Sequence, residues 1–289
     1  MARRGLREST ASSYRERVLR ALVEIERDPG RAAELGALAR EACLSPFHFH
    51  RVFSAIVGEG PAEYARRLRL ERAAHELTVS GDAVHAIARR AGYARHESFT
   101  RAFRARYGAT PSVFRATQRG RWAPAAATQA SAHVMVGRVE VVPPLRVAFI
   151  RHVGPYEQAP AQFERLTRWA GAHARRRGAK QEPLLLGIAH DDPGLTPASH
   201  LRFDCCVAIA DDVRRGEDDI GIQTVLGGRY ASAVHHGSFA TLAQTYRWLA
   251  REFLPQQQLV TRRAPAVEIY LTRPDTDATD GLTEVLLPV

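Results

Sequence analysis

Residues 46–64, PFHFHRVFSAIVGEGPAEY, and residues 96–114, HESFTRAFRARYGATPSVF, carry one pattern at a spacing of 50. Phe49 matches Phe99, Arg51 matches Arg101 and Phe53 matches Phe103; Gly58, Pro61 and Tyr64 match Gly108, Pro111 and Phe114. A unit recurring at fixed spacing is a duplicated structural module. In the first copy Ser45 followed by Pro46 is a helix cap with proline in the first turn, and Gly58 is a stop. That helix is expected to bury Phe49, Val52, Phe53 and Ile56 and to show Phe47, His50, Arg51 and Ser54. The second helix is expected to bury Phe99, Ala102, Phe103 and Tyr107 and to show His96, Glu97, Thr100, Arg101 and Arg104.

Helical spacing extends outward from these two stretches. Residues 12–26 and 32–42 read as helices, and a long helix is expected from Pro61 to Leu77, about 25 Å at 1.5 Å per residue. Val84, Ile87, Ala88 and Ala91 then mark a short helix, and Gly92 a turn. A short helix, a tight turn and a second helix with an Arg-bearing outer face is the helix-turn-helix pattern. Two such units on a rigid connecting helix could enter successive major grooves, which lie about 34 Å apart. Arginine can pair with both guanine acceptors there, and an apolar side chain can pack on a thymine methyl.

The charge follows the same division. Residues 1–122 hold 23 Arg, no Lys and 13 Asp or Glu, a net +10, which is the net charge of the whole chain; residues 123–289 balance at 18 of each sign. A basic unit joined to a neutral one points to a polyanion as partner of the first alone. Three cysteines, Cys43, Cys205 and Cys206, have no metal-ligand spacing, and the adjacent pair fits a buried small-residue role. No apolar run reaches membrane-spanning length, and MARRGLREST lacks the apolar core of a secretory signal. These features fit a reducing cytoplasm.

With these residues in view, the segment ALAREACLSPFHFHRVFSAIVGEGPAEYARRLRLERAAHEL resembles the first half of an AraC/XylS-family DNA-binding domain. AVHAIARRAGYARHESFTRAFRARYGATPSVFR resembles its second half. The resemblance covers residues 10–116. It implies base-contacting residues at Phe47, His50 and Arg51 on one recognition helix and at His96, Glu97, Thr100 and Arg101 on the other. The family often has tryptophan where Phe47 stands. Arg51 and Arg101 could instead grip phosphate, as half or more of protein–DNA hydrogen bonds do. Glu97 could accept from a cytosine amino group or orient Arg101 one turn later.

Residues 117–133, TQRGRWAPAAATQASAH, lack apolar periodicity and read as a linker between an all-α first domain (1–116) and an α+β second domain (134–289). Strands are expected near 136–142, 145–152, 184–190, 202–210, 221–226, 228–236, 266–272 and 283–288, and helices near 156–177 and 239–254. This half repeats at a spacing of 83: His152-Val153-Gly154-Pro155-Tyr156 against His235-His236-Gly237-Ser238-Phe239. Two strand–strand–helix–strand–strand halves should form one antiparallel sheet with both helices on one side and a groove on the other. In PAVEIYL, alternation sets Val267, Ile269 and Leu271 on the helix side and Glu268 with Tyr270 on the groove side. A carboxylate among apolar strand residues is costly unless paired. A cationic ligand would pair it, with help from nearby aromatic faces; an arginine such as Arg151 or Arg229 would do so equally.

RVEVVPPLRVAFIRHVGPYE, LLLGIAHDDPGLTPASHLRFDCCVAI and LGGRYASAVHHGSFATL with PAVEIYL resemble a GyrI-like (SHS2-type) effector-binding domain over residues 135–289. The resemblance implies a central glutamate, here Glu268, that takes hydrophobic, often cationic compounds. Tyr156, Trp169, Phe239 and Tyr270 are the aromatic candidates; Phe239 stands where some relatives carry tyrosine. The reading is a transcriptional regulator that binds DNA and a lipophilic or cationic effector. Its expected partners are double-stranded DNA and that effector, with RNA polymerase as a further candidate. Neither a metal, a cofactor nor a membrane is expected, and the chain would act as monomer or homodimer. Two alternatives compete: a hydrolase of reactive small molecules using Glu268 and a tyrosine hydroxyl, and a protein-binding module of the gyrase-inhibitor kind. The protein-binding reading gives no reason for the +10 charge of residues 1–122, and the attached DNA-binding domain favours sensing over hydrolysis.

Overall fold

A computed structural model describes residues 2–121, 135–176, 183–262, 264–274 and 281–289. The chain divides into two compact units, Glu24–Val134 and Met1–Val23 together with Met135–Val289.

The unit Glu24–Val134 is helical and takes in only the end of the first helix, whose residues up to Val23 fall in the other unit. After α1 (Ala2–Arg27) a 3₁₀ turn, Pro29–Ala33, takes the place expected for the start of the next helix, so α2 is confined to Leu35–Glu41. Then follow α3 (Pro46–Val57), α4 (Pro61–Val79), α5 (Val84–Arg90), α6 (His96–Tyr107) and α7 (Pro111–Arg121). Helix α7 runs through residues 117–121, part of the stretch read as linker; residues 122–133 of that stretch lie outside the described residues. Ser45 caps α3 by accepting from the His48 N–H at 3.3 Å. Gly58 and Gly108 close α3 and α6 in the left-handed region, with φ of 89° and 72°, where a side chain would be strained.

The two copies pack alike because their aromatic residues recur. Phe49 and Phe53 have ring centroids 5.7 Å apart, and Phe99 and Phe103 5.5 Å, both at 51°. Tyr64 meets Phe53 edge-on, as Phe114 meets Phe103. All four phenylalanines are fully buried. Ile56, expected in that stripe, is instead 39% exposed, because it lies in the last turn of α3, beyond the aromatic contacts. Val52, Ala102 and Tyr107 are half-buried. The copies differ in their turns: Gly92 takes φ 81° after α5, while the exposed Cys43 takes φ 53° after α2.

The second unit carries all eight expected strands, with ends within two residues of expectation: β1 (Gly137–Val142), β2 (Leu145–Val153), β3 (Leu185–Ala189), β4 (Arg202–Ala208), β5 (Ile220–Val225), β6 (Gly228–His236), β7 (Ala266–Tyr270) and β8 (Leu282–Pro288). The helices are α8 (Pro160–Arg176) and α9 (Leu242–Trp248), the latter continued by a π-turn, Leu249–Phe253. Pro255 follows that turn; lacking an N–H, it cannot bond back in α-helical register, which favours the local widening.

The sheet is antiparallel throughout, in the order β1-β6-β8-β7-β3-β4-β2-β5. Exchanging the halves reverses this order onto itself, so a pseudo-two-fold axis passes between β3 and β7. Each half lends its first strand to the other: β1 pairs with β6, and β5 with β2. Even the turns into the helices match. His152 Nε2 lies 2.9 Å from the Pro155 carbonyl and His235 Nε2 3.1 Å from the Ser238 carbonyl.

Helix α8 packs through Leu166, Trp169 and Ala170 on Ala148, Ile150, Val207 and Ile220. Leu242 of α9 and the residues after it, Leu249 and Phe253, share a core with Ala231, Ala233, Val285 and Leu287. A helix about 10 Å wide covers about two strands at 4.8 Å spacing. Each helical segment therefore sits over the outer strands of its half and leaves the axial pair, β3 and β7, between them.

Candidate DNA-reading face and ligand site

In the helical unit all seven residues expected to read bases lie on the outer faces of α3 and α6. Phe47 is 77% exposed, and the Arg51 guanidinium lies 5.9 Å from its ring centre, one turn along. The exposed His50 packs beside Gly60, its Nε2 3.0 Å from where a β-carbon there would stand. On α6, His96, Glu97 and Arg101 are exposed, and the half-buried Thr100 has its hydroxyl 3.4 Å from His96 Nε2. Glu97 and Arg101 form no ion pair among the described residues, so orientation of Arg101 by Glu97 is not seen. These residues, with Arg104, Ala105 and Thr110, line an open depression along α6.

Helix α4 links the two copies through buried charge. Arg67 bonds Glu59, in the loop after α3, at 2.5 Å and Glu71 at 3.1 Å; Arg106 of α6 bonds the same Glu71 oxygen at 2.9 Å. Glu71 is buried, so its two arginines satisfy a charge that would otherwise be costly. The network ties α6 and the loop after α3 to one connecting helix.

In the sheet unit, Glu268 and Tyr270 point the same way, as alternation requires, but toward the helices rather than away from them. Tyr246 of α9 donates to Glu268 Oε1 and Tyr270 to Oε2, both at 2.8 Å. Phe163 of α8 meets Tyr270 edge-on at 5.2 Å. The groove expected on the far side is thus corrected: the carboxylate stands in the cleft left between the helices. Val267 and Ile269 point away from it.

Glu268 is 6% exposed. Burial raises its carboxyl above the ordinary 4.5, with the hydroxyls of Tyr246 and Tyr270 pulling the other way. Neither arginine named as an alternative partner reaches it. Arg151 binds Asp204, with Nη2 3.0 Å from Oδ2, and Arg229 is exposed on β6. Among the described residues no cationic side chain forms an ion pair with Glu268.

Around Glu268 the halves contribute unequally. Phe163 and Tyr246 are 83 apart, as are Tyr156 and Phe239. Phe239 joins the cage against Tyr270 at 5.6 Å. Tyr156 lines it with its ring on Phe203 at 5.3 Å, but its hydroxyl is held 2.7 Å from the Asp191 carbonyl. Trp169 does not join: its ring is in the core beneath α8, with Ala148 and Val207. Tyr246, Phe163 and Phe203 are not among the ligand-site residues expected from sequence; the 83-residue offset that pairs Phe163 with Tyr246 is the available signal.

Directly opposite Glu268 in the β3–β7 register stands Gly187. A β-carbon at Gly187 would lie 2.3 Å from the Phe203 ring and 2.6 Å from the Tyr270 hydroxyl. The glycine makes room for the two aromatic residues that crowd the axis.

A duplicated helix-turn-helix unit followed by a duplicated sheet with one buried axial carboxylate defines a two-domain class, one part suited to nucleic acid and the other to a small molecule. The chain belongs to the family of GyrI-like small molecule binding domains, whose model matches residues 135–289, and it carries an AraC-type helix-turn-helix domain matched over residues 38–117. It is 44% identical over 86 residues to the HTH-type transcriptional regulator Rv1931c of Mycobacterium tuberculosis, covering 30% of this chain and 33% of that one. To the HTH-type transcriptional activator AarP of Providencia stuartii it is 34% identical over 99 residues, 34% of this chain and 73% of that one. To DNA gyrase inhibitor 2 of Dickeya dadantii it is 32% identical over 117 residues, 37% of this chain and 68% of that one. The chain thus spans about a third of the length of Rv1931c. Among the described residues no helix is long and apolar enough to cross a membrane.

Proposed function

We propose that the chain is a sequence-specific DNA-binding transcriptional regulator whose second domain binds a lipophilic, cationic effector. Phe47, His50 and Arg51 read one groove segment, and His96, Glu97, Thr100 and Arg101 the next. The effector enters between α8 and α9, places its cation against Glu268 and displaces at least one tyrosine hydroxyl. The observation that carries the effector class is Glu268 itself: a buried carboxylate held by neutral donors and walled by aromatic rings, an arrangement that favours an arriving cation. The +10 charge of residues 1–122 supports the DNA reading.

The test of the effector class is a thermal-shift screen of lipophilic cations and matched neutral compounds on the full chain and on Glu268→Gln. Cations should stabilise the native chain and lose that effect in the variant, while neutral compounds change little. Equal behaviour of the two classes would sink the charge-pairing idea. For DNA, Arg51→Ala and Arg101→Ala should each cost about 1–3 kcal/mol on the cognate site and much less on random DNA; equal losses on both would assign that arginine to phosphate. The hydrolase reading rests on the same Glu268–tyrosine contacts. Consumption of a bound compound that disappears in Glu268→Gln would favour it over sensing.

A further inference from the structure

The sheet ends in two edges, β1 and β5, and they are finished differently. No residue of β5 is exposed, and where it begins the chain turns so tightly that a β-carbon at Gly216 would stand 1.9 Å from the Ile220 carbonyl oxygen. Strand β1 pairs with β6 along all six of its residues. Among the described residues no other strand pairs with it. Three of its residues are exposed, Val139 at 37% and Val141 at 77%, with the Arg138 side chain 59% exposed.

The sequence of this edge, GRVEVV at 137–142, is complementary to itself when run antiparallel. With Val139 on a two-fold axis, Arg138 of one copy stands opposite Glu140 of the other, twice over, and Val141 stands opposite Gly137. An edge bearing one sign of charge would repel a second copy, a common protection of edge strands. Arginine and glutamate two residues apart give the opposite result, because directly opposed residues of unlike charge attract. Within one copy Arg138 already bonds Glu140, at 3.0 Å, and Glu284. The pairing can exchange the Arg138–Glu140 bond across the axis while Arg138 keeps Glu284.

We propose that β1 is a homodimer interface, in which two copies of this chain pair their β1 edges about a two-fold axis at Val139 and continue the sheet across it. The contact is isologous and closes on itself. A six-residue strand pair is a small interface, which makes the dimer weak and concentration-dependent. If the DNA-binding reading above holds, each dimer carries two copies of an asymmetric reading face.

The proposal is tested by sedimentation velocity on the full chain without DNA, from about 1 to 100 µM, so its failure is separate from failure of the DNA-binding reading. The native chain should pass from monomer toward dimer. Arg138→Glu and Glu140→Arg should each raise the dimer dissociation constant about tenfold or more. An equimolar mixture of the two variants should restore association, as should the double variant carrying both changes. Val139→Lys, which sets two ammonium groups against each other at the axis, should abolish it; if the charge variants fail to fold in thermal melts, this variant decides. A native chain that stays monomeric throughout, single variants that dimerise as the native chain does, a mixture that does not recover, or an unaffected Val139→Lys would each overturn the proposal.

Discussion

Asp204 on β4 and Glu268 on β7 are carboxylates buried in one sheet, but their surroundings treat the charge differently. Asp204 receives Arg151 at 3.0 Å, His190 at 2.9 Å and Gln223 at 2.8 Å. Burial pushes its carboxyl up, but Arg151 and His190 outweigh burial and hold it at about 2. Glu268 receives two tyrosine hydroxyls, and there burial prevails. One carboxylate is neutralised inside the fold; the other keeps its demand for a cation. The difference separates a group that holds the sheet together from a group available to a ligand, although both sit on central strands of the same sheet.

The hardest test of this contrast is Arg151→Leu. It strands Asp204, whose side chain is fully buried, and should cost about 3–5 kcal/mol in chemical denaturation. A loss below about 1 kcal/mol would mean that His190 and Gln223 suffice and that the contrast with Glu268 is overstated. The native chain should show the same dependence in acid. A carboxylate held at about 2 adds stability that is fully present above its ordinary 3.8 and is lost as pH falls through about 2.

Next in size is Gly187→Ala. The added methyl meets Phe203 and the Tyr270 hydroxyl, an overpacking expected to cost about 1–3 kcal/mol in thermal or chemical denaturation. It also tests why the axis is asymmetric. The equivalent of Glu268 in the other half is Gly187, and in this register a second glutamate would set two carboxylates side by side. In the helical unit the copies reach separate positions, and Arg51 and Arg101 are both kept. Where two copies meet on an axis, only one can carry the charge. Tyr246→Phe should cost less, about 1.5 kcal/mol for a hydrogen bond to a charged group. It should also raise the Glu268 carboxyl further, read by side-chain NMR titration; an unchanged titration would mean that Tyr246 does not hold the charge.

Much of this was legible in the sequence. The spacings of 50 and 83 place the duplicated helices and the first two strands of each half, and alternation along β7 correctly puts Glu268 and Tyr270 on one face. Alternation alone cannot say which face the helices cover, because that depends on where Phe163 and Tyr246 land. Trp169 shows the same limit: it is six residues from Phe163, about 120° round the helix at 100° per residue, and so faces core rather than cleft. Tyr246 and Phe203 look like ordinary core aromatics until the strand order brings them to the axis. The self-complementary charge of β1 was visible in the sequence, but its edge position was not, since it follows from the exchange of first strands between halves.

The smallest expected effect is also the sharpest in sign. The carboxyl of Glu268 is raised in the folded chain, chiefly by burial, above its ordinary 4.5. Between that value and its folded value the native state holds a proton that the unfolded state has released. The stability contributed by the protonated carboxyl is therefore complete below 4.5 and is lost as pH rises through the folded value. Glutamine keeps the shape without titrating. Glu268→Gln should thus differ from the native chain by no more than about 1 kcal/mol, with the difference moving in the variant's favour as pH rises from 4 toward 7 in parallel denaturation series. A saturating lipophilic cation should flatten or reverse that trend in the native chain alone, since it supplies the charge that Arg151 supplies to Asp204. A variant whose advantage grew instead toward low pH would place Glu268 with Asp204, as an internally neutralised group, and remove the basis for assigning it to a ligand.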